Sequence, residues 1–135
     1  MRRLLIDSHV FVWMVGRSPH LSGAVADLIE AQDVAPYLSA ASIAELCIKI
    51  NLGKLTLPVQ IGQDAAISFQ YSLEQMSMEC LPVTLAHAAR LRDLPLHHRD
   101  PFDRLIVAQA MVEGLTVVTH DRTFARYDGL AVLWA

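Results

Sequence analysis

Leu4-Leu5-Ile6-Asp7-Ser8-His9 is an unbroken aliphatic run closed by a carboxylate and a hydroxyl, and its reading decides the fold. Three apolar residues without polar alternation suit a strand buried on both faces, and such strands belong to parallel sheets sandwiched between helices. Asp7 therefore stands at the carboxyl end of a central strand, the edge where open parallel α/β sheets bind ligands. Thr116-Val117-Val118-Thr119, with Asp121 just beyond, repeats the pattern near the other end of the chain.

Between these two runs, strand and helix signals alternate, as βαβ units do. A short apolar helix is expected over 10–15, broken by Arg17-Ser18-Pro19, then a helix over 22–31 and a short strand over 36–39. Ile43, Leu46, Cys47 and Ile50 form the i, i+3, i+4, i+7 stripe of a helix over 43–52. A longer helix is expected to start at Pro58 and reach about Gln75, followed by a strand over 78–83 and a helix over 84–92. Asp100-Pro101 is a strong helix start, with Asp as N-cap and Pro at the first helical position, and the apolar helix over 102–113 should end at Gly114. The expected architecture is α/β: a parallel sheet of about four to five strands with helices on both faces, forming one domain over 1–135.

Composition narrows the function classes. The 135 residues are 53% hydrophobic, with a mean hydropathy of +0.34, which implies apolar surface left for a subunit or partner. No apolar stretch approaches the ~20 residues a spanning helix needs, so no membrane role is expected. Met1-Arg2-Arg3 followed by Leu4-Leu5-Ile6 mimics the start of a signal peptide, but Asp7 interrupts it, and we read it as a buried first strand. The two cysteines, Cys47 and Cys80, have no CxxC spacing and are expected as buried reduced thiols in a cytoplasm. A net charge of −3 argues against sequence-independent nucleic-acid coating.

Four acids carry the functional reading. Asp7 and Asp121 follow strands, while Glu45 and Asp103 fall in the first turns of expected helices, so all four map to one edge of one sheet. Carboxylates gathered there repel one another unless a divalent cation neutralises them. Oxygen donors suit Mg²⁺, with Mn²⁺ as substitute, better than zinc, and the histidines lack the helical spacing of a zinc pair. Three of the acids also have a structural explanation, whereas Asp7, at the end of a buried strand, caps nothing obvious. Ser42-Ile43-Ala44-Glu45 fits a capping box, Asp100 and Asp103 share that spacing, and Asp121 would cap the turn 122–126. Supporting candidates are Ser8 and Thr119, hydroxyls beside two of the acids, Asp100, Lys49 four residues after Glu45, and Arg104. Lys49 and Arg104 serve equally well as helical ion-pair partners or as phosphate contacts.

The quoted stretch, Ser39 to Leu55 with Ser42, Glu45 and Lys49, the block from Arg99 to Ala110, and Val118-Thr119-His120-Asp121 together resemble the PIN domain, most closely the VapC-type toxins of bacterial toxin–antitoxin pairs. The resemblance spans essentially the whole chain. It implies that Asp7, Glu45, Asp103 and Asp121 are the metal-binding acids of a Mg²⁺-dependent endoribonuclease that cuts by metal-activated water, leaving a 3′-hydroxyl and a 5′-phosphate. It also implies a small inhibitory antitoxin, whose Arg would suit an open acidic site. With the apolar surplus it suggests a homodimer, contacting through about residues 12–15. A phosphoryl-accepting receiver would need adjacent acids after the first strand and a late Lys, and this chain has Ser8 and no Lys beyond Lys54. Dinucleotide binding would need a Gly-rich loop after Asp7. A housekeeping PIN nuclease without an antitoxin, or a non-catalytic PIN-like binding module, are the alternatives.

Overall fold

The computed structural model describes residues 1–57 and 61–135. Its frame is one five-stranded sheet: β1 (Arg2–Ile6), β2 (Val34–Ser39), β3 (Glu79–Leu81), β4 (Thr116–Thr119) and β5 (Val132–Trp134), in the order β3-β2-β1-β4-β5. All four pairings are parallel. Among the described residues six α-helices surround it: α1 (Ser8–Val15), α2 (Gly23–Glu30), α3 (Ala40–Asn51), α4 (Ala65–Gln75), α5 (Leu85–Arg90) and α6 (Pro101–Glu113).

The aliphatic run behaves as its chemistry demands. Leu4, Leu5 and Ile6 are fully buried, with β2 on one side and β4 on the other. Leu4 and Ile6 enter a core with Phe11, Ile29, Leu46, Phe69 and Leu73 from α1 to α4. Leu5 points to the opposite face and packs with Ile106, Val107 and Ala110 of α6 and with Phe124. The period of two thus divides one strand between two cores. The chain builds outward through β2 to β3, returns, and continues from β4 to β5 on the other side of β1. The direction of winding therefore reverses between β1 and β4, and the crevice at such a switch point is where this class of sheet binds ligands.

Several boundaries differ from expectation. β2 runs straight into α3, with Ser39 serving as both last strand residue and N-cap, its hydroxyl accepting from the Ala41 N–H at 3.0 Å. Ser42 is therefore no N-cap but a fully buried residue inside the helix, and Glu45 lies in the second turn. The Pro58 start falls outside the described residues; α4 begins at Ala65, capped by Asp64 accepting from the Ile67 N–H. Asp100 and Pro101 start α6 as anticipated, and Gly114 ends it with a φ of 68°, the left-handed geometry glycine adopts without steric cost. Among the described residues no helix is long and apolar enough to cross a membrane.

Candidate metal centre

Two elements meeting at the switch point set the first carboxylates. Asp7 leaves β1 and occupies the N-cap position of α1, but its side chain caps nothing and accepts instead from the Thr119 hydroxyl at 2.7 Å. Burial pushes its carboxyl above the usual range, partly offset by that bond. Thr119, the buried last residue of β4, also accepts from the Asp121 N–H at 3.0 Å, so one hydroxyl ties the ends of both strands together. Glu45 is held from both sides: the Ser8 hydroxyl donates to Oε1 at 2.9 Å and the Lys49 ammonium to Oε2 at 2.7 Å. Capping is therefore not the role of Glu45. Lys49 holds its proton more tightly than usual, chiefly through the bond to Glu45.

Asp103, in the first turn of α6, carries the strongest electrostatic signature. Burial, followed by the negative charges of Asp100, Asp7, Glu45 and Asp121, pushes its carboxyl up to about 7, and no hydrogen bond counters them. The four other acids of the cluster thus converge electrostatically on it. Asp100 spends Oδ1 on capping, accepting from the Phe102 N–H at 2.8 Å, yet also faces the cleft. Asp121 caps the 3₁₀ turn Arg122–Arg126 through the Thr123 N–H at 2.9 Å. Its Oδ2 lies 2.9 Å from His98 Nε2, an interaction the sequence reading missed. Burial raises the Asp121 carboxyl, but the bonds from His98 and Thr123 outweigh it and hold it below the ordinary carboxylate range.

The resulting cleft, about 310 Å³, is lined by Asp7, Glu45, Lys49, Asp100, Asp103 and Asp121, together with the aromatic rings of His9, Trp13 and His120. Arg104 is not part of it. Its guanidinium donates to the carbonyls of Pro95, Leu91 and Leu94, strapping the preceding segment onto α6. The donor set fits a hard divalent cation: carboxylates dominate the cleft, Asp103 lacks any compensating donor, and ligand atoms of Asp103, Asp121 and His98 lie within 4.8 Å of one another. The residues expected at the dimer contact, Val12 to Val15, are partly buried against the core; the exposed large apolar side chains lie elsewhere, including Ile48, Leu52, Ile67 and Tyr71.

The Asp103 shift sets a pH dependence. A carboxyl near 7 in the folded chain and near 3.8 when unfolded makes the folded state hold an extra proton between those values, so metal-free stability falls as pH rises from about 4 to 7 and levels above. At full strength three units amount to roughly 4 kcal/mol; screening at this partly exposed group reduces that to ~1–2 kcal/mol. Thermal melts of chelator-treated protein should show that slope, and Asp103→Asn should flatten it.

Solved structures with the same fold include VapBC2 from Rickettsia felis, bound to a DNA fragment from its promoter, at a TM-score of 0.70 and 16% identity over 98% of both chains. FitAcB from Neisseria gonorrhoeae matches at 0.59 and 26% identity over 96% of each. VapBC-5 from Mycobacterium tuberculosis, a member of the VapBC family of toxin–antitoxin systems, matches at 0.56 and 25% over 99% of this chain and 98% of that one. No curated protein sequence matches the chain. The family model of the PIN domain matches residues 4–130, nearly the whole length, and this chain belongs to the PIN domain family.

Proposed function

We propose that this protein is a Mg²⁺-dependent endoribonuclease, the toxin of a toxin–antitoxin pair, with Asp7, Glu45, Asp103 and Asp121 as its metal-binding acids and Mn²⁺ able to substitute. The observation that carries the reading is that these four carboxylates line one cleft at the switch point, an arrangement unfavourable without a cation. A divalent cation there would supply Lewis-acid activation of the attacking water and neutralise charge developing on the scissile phosphate. The chain's own groups do the rest. Thr119 and Ser8 fix the orientation of Asp7 and Glu45, and Lys49 presents a cation at the mouth, where a phosphate oxygen can exchange for part of its bond to Glu45. The similarity to VapBC and FitAcB supports a small inhibitory protein partner, and the exposed apolar side chains on α3 and α4 support self-association.

The test is cleavage of a mixed RNA pool with Mg²⁺, with chelator and with Mn²⁺. The reading requires products bearing 5′-phosphates, formed only with metal; cutting that persists in chelator overturns it. Glu45→Gln should keep the helix and the Ser8 bond, since an amide oxygen also accepts, while Mn²⁺ affinity drops and cleavage is lost. Unchanged titration heats with Mn²⁺ would remove Glu45 from the ligand set.

A further inference from the structure

His98 has no assigned part in the chemistry above, yet it is the most constrained histidine near the cleft. It is 7% exposed, on the segment that leads into α6. Its ring lies parallel to that of Tyr127, at 5.5 Å and 11°, and tilted over Phe124 at 4.6 Å. Nδ1 is 2.9 Å from the Tyr127 hydroxyl, which also accepts from the His98 N–H at 3.2 Å, and Nε2 is 2.9 Å from Asp121 Oδ2. Both ring nitrogens are engaged.

Those bonds decide between two roles. A ligand atom of His98 lies within 4.8 Å of others on Asp103 and Asp121, so the ring is close enough to be considered a third metal ligand. However, Nε2 faces a carboxylate oxygen. The 2.9 Å contact to an ionised carboxylate is a hydrogen bond in the tautomer with the hydrogen on Nε2, in which that nitrogen offers no lone pair to a cation, and hard cations such as Mg²⁺ take oxygen donors in preference to imidazole. Nδ1 is turned to Tyr127. Asp121, meanwhile, needs restraint: its side chain is 40% exposed, whereas Glu45 in its ion pair is 7% exposed. The Thr123 N–H holds Oδ1 and His98 holds Oδ2, which fixes the plane of the carboxylate.

We propose that His98 is a positioning residue that, anchored by Tyr127 and Phe124, orients the Asp121 carboxylate for a divalent cation without itself coordinating it. This rests on the metal reading above. Partners that orient a ligand in this way are worth about 10- to 100-fold in metal affinity.

The test compares calorimetric Mn²⁺ titrations of the parent, His98→Phe and His98→Gln proteins. His98→Phe keeps an aromatic ring against Phe124 and Tyr127 but loses the donor, and Mn²⁺ affinity should fall about 10- to 100-fold. His98→Gln restores an N–H and should recover most of that loss. Parent-like affinity in a folded His98→Phe protein would overturn the proposal while leaving the metal reading intact; no Mn²⁺ binding by the parent would overturn both. Ring ¹⁵N NMR of the parent gives an answer independent of any variant. The proton should sit on Nε2 both before and after saturation with Mg²⁺, and an unprotonated Nε2 in either state would overturn the assignment.

Discussion

Asp103→Asn is expected to yield a folded protein whose metal-dependent cleavage of RNA falls by at least ~1000-fold, the rate equivalent of the several kcal/mol of charge stabilisation a bound cation supplies. The fold should survive because Asp103 accepts no hydrogen bond that α6 depends on; Asp100 caps that helix, and Pro101 fills its first position. Without metal the variant should melt higher than the parent above pH 7, because the amide removes a charge on which burial and four other acids bear unfavourably. With saturating Mn²⁺ the order should reverse, since a cation that binds only the folded parent stabilises it by mass action. Full cleavage by the folded variant would remove Asp103 from the catalytic centre.

Phe124→Ala is expected to lower stability by about 3–5 kcal/mol, the range for emptying a fully buried aromatic position. Phe124 is completely buried, packs with Leu5 and the α6 residues, and lies under the His98 ring. Against a total stability of ~5–15 kcal/mol for a domain of this kind, that loss is large. The damage should reach the site, because the 3₁₀ turn capped by Asp121 loses its anchor and His98 loses one of its two aromatic supports. Urea titration should show the midpoint drop, and Mn²⁺ affinity should fall even where the protein remains folded. A change below about 1 kcal/mol would mean that the turn repacks without Phe124, contrary to the close packing of such cores.

What the sequence disclosed follows from how local each signal is. β1 and α6 were legible because one announces itself by an uninterrupted aliphatic run and the other by Asp-Pro at its start and Gly at its end. The start of α3 was not, because Ser39 and Ser42 are both plausible N-caps and the Ser42-to-Glu45 spacing imitates a capping box; the strand enters the helix without a loop, so the earlier serine serves. β5 has only three half-buried residues, too few for periodicity to register. Within the site, Asp7 and Asp121 were visible as residues after strands, and Glu45 and Asp103 as acids near helix starts. The bonds that orient them were not: Thr119 to Asp7 spans 112 positions, Ser8 to Glu45 spans 37, and His98 to Asp121 spans 23. Arg104 shows the converse, a cation beside an acid in sequence that the fold spends on carbonyls.

Anomalous diffraction from crystals soaked in Mn²⁺ would locate the cation at the β1–β4 switch point. A Mn²⁺ peak is expected between the Asp7, Asp103 and Asp121 carboxylates, with Glu45 on its fourth side and His98 outside the coordination shell. A fully occupied Mn²⁺ bound elsewhere, with this cleft free of anomalous density, would mean that these carboxylates do not form one cation site.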